Sequence, residues 1–485
     1  MAAAAKLVLL HTNDIHSHFE QMPKLKTAMD RITAQYAPYP VLRIDCGDHM
    51  DRMRPETDGS GGTANVAVMN ATGYNVAVLG NNEGLTFPHR TIEAAYASAD
   101  FHILGSNLLE ANGQLAPWMV PTYLCEAGGI RVGFIGVTAY YPEFYKPLGW
   151  DELEPLSIVA GYVKQLREEA DVLVVLSHLG LNHDKRMAEE IEGIDVILGG
   201  HTHHLLPEPL MIGTTAVCAA GKYGTHLGVV SIEWDPEAKR PGRISGQCLD
   251  MAGVPADIDL ERLIELKRRQ AIQALDRVVV TLAEPIAAAS GEESPLGNLL
   301  ASGLRRWTGA EIGLVNAGQL LDGLEAGPVT LERLLAICPH PINPCRMLVT
   351  GANLRRALEE ALLPEFVALA IRGYGFRGKE LGTLCVDGMT IRYDRSRPPY
   401  ERLVSVSVQG NPLQDELRYS VGSIDMFTFG QGYLSLKEGE EQQFYMPEFL
   451  RDVLLDQLQR PEEIAACLQK HWHSAPLSGP DRAGR

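Results

Sequence analysis

A chain of 485 residues, with 45% hydrophobic and 21% charged side chains, has the make-up of an ordinary globular protein long enough for two or three domains. Its formal net charge of −18 argues against a nucleic-acid polymer or an anionic membrane as partner, and no uninterrupted apolar run reaches the roughly 20 residues of a membrane span. The eight cysteines contain no CxxC pair, which suits reduced thiols better than a disulfide framework, Cys338 and Cys345 included.

The N-terminal decapeptide MAAAAKLVLL has the apolar look of a signal peptide but no cationic segment ahead of it, and it runs straight into a polar turn. Cleavage there would cut into the first candidate site, so the expected location is the cytoplasm. Leu7–Leu10 reads as a short buried strand, and the turn that follows it, within LVLLHTNDIHSH, carries Asp14 and His16. Residues i and i+2 of an extended chain point to one face, so an oxygen and a nitrogen ligand leave the strand end side by side.

Four later runs repeat this arrangement. Pro40–Asp45 (PVLRID) leads into Cys46-Gly47-Asp48-His49-Met50-Asp51, and Tyr74–Leu79 (YNVAVL) leads into Gly80-Asn81-Asn82-Glu83. Asp171–Leu176 (DVLVVL) leads into Ser177-His178, and Asp195–Leu198 (DVIL) into Gly199-Gly200-His201-Thr202-His203. A further strand, Arg131–Val137 (RVGFIGV), ends without a ligand-type residue. Strands alternating with helical stretches predict an α/β layered domain, and the C-terminal strand edge of open α/β sheets is where sites collect.

Asp257–Leu275 reads as a charged amphipathic helix, a connector to a second domain. The second half mixes helices (Pro295–Trp307, Gly351–Leu362) with strands (Met389–Asp394, Leu403–Val408), an α+β pattern without ligand clusters. The expected organisation is a first domain over 1–256, the connecting helix over 257–275, a second domain over 276–472 and a frayed tail over 473–485.

The strand ends together supply Asp14, His16, Asp48, Asn81, His178, His201 and His203. Two carboxylates with several neutral nitrogen and amide groups suit Mn²⁺, Zn²⁺ or Fe²⁺ better than Ca²⁺ or Mg²⁺. Seven ligands are too many for one ion that keeps an open position; they suit two ions about 3.5–4 Å apart sharing a carboxylate. Two divalent ions, two aspartates and a bridging hydroxide leave a net charge of about +1, able to hold a phosphate oxygen and to lower the pKa of an attacking water.

In order and spacing, HTNDIHSH, GDHMD, GNNE, SHLG and GGHTH resemble the metallophosphoesterase domain of the 5′-nucleotidase family, of the UDP-sugar hydrolase/5′-nucleotidase kind. Pro295-Leu296-Gly297-Asn298, Asn316-Ala317-Gly318 and Gly430-Gln431-Gly432-Tyr433 resemble that family's C-terminal domain. The resemblance implies a four-layer αββα sandwich followed by an α+β substrate-recognition domain. It implies one ion held by Asp14, His16, Asp48 and His203 and a second held by Asp48, Asn81, His178 and His201, with Asp48 bridging. The implied activity is hydrolysis of a small phosphorylated substrate, a nucleotide or nucleotide sugar, by a metal-bridging hydroxide.

The chain departs from the family where leaving groups and substrates are handled. Asn82 stands where the family has the histidine of a His–Asp dyad, and Gly84-Leu85-Thr86 follow without an acid. Asn82 is the catalytic candidate: it can donate a hydrogen bond to a phosphoryl oxygen but cannot transfer a proton. Leu321 stands where an arginine is expected, and the family's Gly-Gly-Asp-Gly reads Phe429-Gly430-Gln431-Gly432. Thr383 and either Met426 or Phe427 fall near the family's base-stacking positions. Asn316, Gly318, Phe427, Phe429 and Tyr433 are the candidate substrate-binding residues, with Tyr374 and Phe376 as further aromatics and Arg346 as a candidate phosphate contact. His18 and His49 are candidates for the missing acid, Glu83 for a helix cap or a support to the ligands, His183 for a surface residue and Cys46 for a packed one. Two alternatives stay open: a metal-retaining binding or regulatory protein with little catalysis, and a 2′,3′-cyclic nucleotide phosphodiesterase on the same fold.

Overall fold

Leu7, Val8, Leu9 and Leu10 are fully buried in the computed structural model, which describes residues 5–235 and 240–475. A run of consecutive apolar residues is buried on both faces only inside a layered sheet. They lie in strand β1 (Ala5–Thr12), followed by β2 (Val41–Asp45), β3 (Val76–Val78) and β4 (His102–Leu104). Next come β5 (Leu108–Glu110), β6 (Thr122–Ala127), β7 (Ile130–Thr138) and β8 (Trp150–Glu152). The series closes with β9 (Val172–His178), β10 (Val196–Gly199), β11 (Leu210–Ile212), β12 (Thr215–Ala219), β13 (His226–Asp235) and β14 (Arg240–Asp250).

One six-stranded sheet has the order β14-β13-β1-β2-β3-β4, the other β11-β12-β10-β9-β7-β6, and β5 pairs with β8. Leu7, Leu9, Ile44 and Val76 from the first sheet share one core with Phe134, Val174, Leu176 and Leu198 from the second, so the sheets pack face to face. Helices Pro155–Leu166 and Leu181–Glu190 cover the outer face of the second sheet through Val159, Val163 and Met187. On the first sheet's side, Met22–Tyr36 and Thr63–Thr72 bury Leu25, Met29, Val66 and Met69. The result is the expected αββα sandwich.

Within the first sheet β1, β2, β3 and β4 are parallel neighbours; within the second, β7, β9, β10 and β12 are. Parallel pairing gathers C-terminal ends along one edge of each sheet, which is what lets the turns after β1, β2, β3, β9 and β10 meet.

The chain divides into two compact units between Ala274 and Leu275, and the helix Ile258–Leu275 straddles that point. The second unit contains a five-stranded sheet in the order Leu384–Asp387, Ile312–Asn316, Arg418–Ile424, Pro344–Thr350, Glu440–Phe444. Helix Pro295–Thr308 packs on it; the Ser294 side chain caps it by accepting from Gly297 N, and Leu296, Leu299, Leu300 and Leu304 form its buried face. A second sheet runs Asn411–Pro412, Leu403–Val408, Met389–Tyr393, Trp472–Ser474.

The last strand corrects the expected tail: Trp472 is buried and its strand pairs in parallel with Met389–Tyr393, so order extends past residue 472. The remainder of that tail, 476–485, and the first four residues of the N-terminal decapeptide lie outside the described residues. All eight cysteines are free. Among the described residues no helix is long and apolar enough to cross a membrane.

Candidate metal centre

The turns after β1 and β2 are tied to each other by backbone hydrogen bonds, Asp14 N to Gly47 O (3.0 Å), His16 N to Asp48 O (2.8 Å) and Ser17 N to His49 O (2.9 Å). Five of the seven expected ligands adopt left-handed backbone conformations: Asp14 (φ 52°), His16 (47°), Asp48 (54°), His201 (70°) and His203 (57°). Such conformations are strained for residues with a Cβ, at about 1–3 kcal/mol each, and cluster where a site dictates the aim of its side chains. Close approach also explains one glycine: a Cβ on Gly200 would lie 2.9 Å from His178 Nδ1.

All seven residues converge. Asp48 Oδ1 lies 3.3 Å from His178 Nε2, and its other oxygen lies 3.7 Å from His16 Nε2. Asp14 Oδ1 is 3.4 Å from His203 Nε2, 3.8 Å from His16 Nε2 and 4.0 Å from His178 Nε2. His201 Nδ1 lies 2.8 Å from Asn81 Oδ1, and its ring is 5.3 Å from that of His178. Asp14, Asp48, His16 and His178 are buried, whereas Asn81, His201 and His203 are half-exposed, so the site opens on their side.

This donor set fits divalent cations. His178 Nε2 is fully buried without a well-directed hydrogen bond, and the Nε2 atoms of His16 and His203 face each other at 3.2 Å beside a carboxylate. Such nitrogens need either a shared proton or a cation between them. His178 Nδ1 bonds Cys46 O at 2.7 Å, which fixes the ring so that Nε2 faces the carboxylates. Among the described residues, the groups able to hold a metal ion are Asp14 with His16 and His203, and Asp14 with Asp48 and His178.

Polar support reaches the candidate ligands from behind. The buried carboxylate of Glu83 accepts from Asp48 N (3.0 Å), Met50 N (2.7 Å) and Gly80 N (2.8 Å), so it both caps the helix Asn81–Thr86 and clamps two ligand turns together. Burial and the nearby Asp48 push its pKa up to about 7, against those hydrogen bonds. Asn13 donates to Asp14 Oδ2 (2.7 Å) and to Gly221 O (2.6 Å).

The site's charge balance couples metal to pH. Burial pulls the His178 pKa down, but Asp48 and Asp14 outweigh it and raise it from 6.5 to about 10. A folded value above the unfolded one means that the stabilisation is complete below pH 6.5 and is lost as pH rises towards 10. A cation must displace the Nε2 proton, so metal binding strengthens over the same range. Two results are expected of chelator-stripped protein. Adding Mn²⁺ at pH 7 in weak buffer acidifies the solution, and without metal the melting temperature falls between pH 6.5 and 10. A metal titration that releases no proton would contradict this.

Asn82 differs from expectation. Its amide nitrogen reaches His16 Nδ1 (2.9 Å) and Met50 O (3.2 Å), and its oxygen accepts from Asn81 (3.3 Å). One amide hydrogen is thus committed to Met50 O, the other meets His16 Nδ1 in the ring form that leaves that nitrogen unprotonated, and Asn82 is buried. His49 is buried against Phe19 and Tyr74, and burial lowers its pKa to about 3, so it is no proton donor near neutrality. His18 bonds Glu20 (2.7 Å) and Arg54 (2.9 Å) and lies against Tyr223, the rings tilted by 32° with centroids 4.0 Å apart. His183 is exposed, Cys46 is packed in the core and Arg346 is half-buried in the second unit.

Two neighbours of the candidate ligands were not assigned roles from sequence. Asp51 Oδ2 lies 3.5 Å from His16 Nδ1, and the Tyr141 hydroxyl lies 3.1 Å from His201 Nε2. Tyr141 follows β7, the one strand passed over for lack of an Asp, Asn or His; its position at the same sheet edge was the available signal.

Four of the five expected substrate residues are core. Asn316 donates to Leu381 O (2.6 Å) and accepts from Gln319 (3.0 Å), and Gly318 N donates to Leu381 O (3.0 Å). Phe427 and Tyr433 are fully buried, the Tyr433 hydroxyl donating to Gly382 O at 3.0 Å. Apolar faces and backbone pairing within the second unit claim all four. Phe429 alone is open, 39% exposed, and stacks on Tyr374, 52% exposed, at 5.9 Å. Phe376 is buried on His340, Thr383 and Met426 are buried, and Leu321 is exposed.

Two family models match the chain, a calcineurin-like phosphoesterase over residues 7–205 and a 5′-nucleotidase C-terminal domain over 278–437. The chain is 35% identical over 453 residues to the uncharacterized metallophosphoesterase YunD of Bacillus subtilis (strain 168), covering 93% of this chain and 98% of that protein. It is 26% identical over 471 residues to the 5′-nucleotidase of Rattus norvegicus, covering 84% of this chain and 78% of that one. The NAD nucleotidase of Haemophilus influenzae shares the fold, with a TM-score of 0.68 at 17% identity over 98% of each chain.

Proposed function

The chain belongs to the metallophosphoesterase family, as a 5′-nucleotidase-type hydrolase with that family's two domains, and from this premise we propose that it cleaves phosphoanhydrides or activated phosphoesters of nucleotides or nucleotide sugars. In this reading Asp14, His16, Asp48 and His203 would hold one ion and Asp48, Asn81, His178 and His201 the other, with Mn²⁺, Zn²⁺ or Fe²⁺ as the metal. Divalent ions bound there supply positive charge to the phosphoryl group and acidify a water enough to attack near neutral pH.

The protein's own residues set which substrates suit. The placement of Asn82, an amide without a transferable proton, directly beside the candidate ligand His16 is the observation that carries the proposal. No proton comes from this position to the departing oxygen, and general-acid assistance is worth roughly 10²–10⁴-fold. A nucleoside 5′-oxygen leaves poorly without a proton. A phosphate, whose second pKa is about 6, leaves as a stable anion. Eight free thiols suit the cytoplasm, where this reading places the protein.

Phosphate release from Mn²⁺-loaded protein tests the proposal, with added phosphatase to reveal anhydride products. UDP-glucose and p-nitrophenyl phosphate are expected to exceed nucleoside monophosphates in kcat/KM by about 10²-fold. Brisk monophosphate hydrolysis would mean that another group supplies the proton. Preference for a 2′,3′-cyclic nucleotide would move the assignment to a phosphodiesterase, and silence across the panel would move it to a metal-retaining binding protein.

A further inference from the structure

His201 is hydrogen-bonded at both ring nitrogens. Nδ1 lies 2.8 Å from Asn81 Oδ1 and Nε2 lies 3.1 Å from the Tyr141 hydroxyl. A neutral imidazole carries a single N–H. The contact with an amide oxygen places that hydrogen on Nδ1, leaving Nε2 to accept from Tyr141. For His201 Nδ1 and Asn81 Oδ1 to turn their lone pairs to one cation, the hydrogen must sit on Nε2 instead, and the group beside Nε2 must then accept it. A carboxylate would serve only the second arrangement and an ammonium only the first. A hydroxyl both donates and accepts, so it serves each.

Tyr141 is itself well held. Its backbone N–H donates to the buried Glu152 at 2.6 Å, and its ring meets Phe144 edge-on, with centroids 6.5 Å apart. His201 lies in a turn at φ 70°, where the backbone alone leaves the ring's rotation about its side-chain bonds open. The pair of hydrogen bonds at Nδ1 and Nε2 sets that rotation.

We propose that Tyr141 is a positioning residue that aims His201 Nδ1, together with Asn81, at the second cation and stabilises the ring form that binds it. This rests on the two-ion reading above. The hydroxyl of Tyr141 meets His201, which in that reading belongs to the second site, so the larger effect is expected there.

The test is Tyr141→Phe, which removes one oxygen and keeps the ring. Chelator-stripped wild type and variant are titrated calorimetrically with Mn²⁺ alone, and their metal-free melting temperatures are compared. The expected result is two sites in the wild type. In the variant, one site keeps wild-type affinity, the other is weakened about 10–100-fold, and the metal-free melting temperature is unchanged. Two wild-type affinities in the variant would overturn the proposal, as would equal weakening of both sites with a lowered melting temperature, which marks a merely structural role. A wild type that binds fewer than two ions would overturn the two-ion reading itself, and the proposal with it.

Discussion

Asp48→Asn is expected to lower kcat/KM by more than about 10³-fold on every substrate the wild type hydrolyses, beyond the roughly 10²–10³-fold that loss of one transition-state donor costs. The argument is geometric. One Asp48 oxygen lies 3.3 Å from His178 Nε2 and the other 3.7 Å from His16 Nε2, so a single carboxylate faces both halves of the site. Asparagine keeps the shape and tolerates the φ of 54° found there, and its amide oxygen can still accept from Asn82 N, now at 2.8 Å. What disappears is the charge and one accepting oxygen. Asp14 is then the sole carboxylate left to hold two dications. Bound metal measured beside phosphate release is expected to fall from two ions to one or none, with the circular dichroism of stripped protein unchanged. A variant that binds two ions and turns over within tenfold of the wild type would remove Asp48 from the reaction.

The candidate ligands could be picked out of the sequence because each lies on a buried strand or within a few residues of its end. The apolar runs PVLRID and DVIL locate the strand, the turn after it is short, and parallel pairing brings the ends together without further information. The substrate side was not legible for the opposite reason. Phe427 and Phe429 are two residues apart around one short helix, yet the first is fully buried and the second open, a difference made by neighbours far away in sequence. Tyr433 and Asn316 have polar atoms that suit a ligand equally well, but in the fold these are used by Gly382 and Leu381. The strand Trp472–Ser474 exists only because Met389–Tyr393, some eighty residues earlier, offers it an edge. Strand β14, about half of it exposed, has no continuous apolar run to announce it. Tyr141 escaped because a hydroxyl that supports a ligand carries none of the residue signature of the ligand itself.

Asn82→His is expected to raise kcat on nucleoside monophosphates at least about tenfold while leaving phosphoanhydrides nearly unchanged, so that the ratio of the two is the readout. General-acid assistance, worth roughly 10²–10⁴-fold at full strength, sets the ceiling. The gain falls short of it because Gly84-Leu85-Thr86 supply no carboxylate to orient the new ring. The substitution also removes the amide that reaches His16 Nδ1 at 2.9 Å; Asp51, 3.5 Å from the same atom, remains to hold that ligand. A pH profile separates the possibilities. An imidazole that delivers a proton must be protonated, so monophosphate turnover should decline as pH rises through its pKa, a limb absent from the wild type and from the anhydride reaction of the variant. If both substrates slow equally, Asn82 serves to hold His16 and the missing acid does not explain substrate preference. If neither changes, the leaving group departs from another side of the site, and the bias towards anhydrides has no basis in this residue.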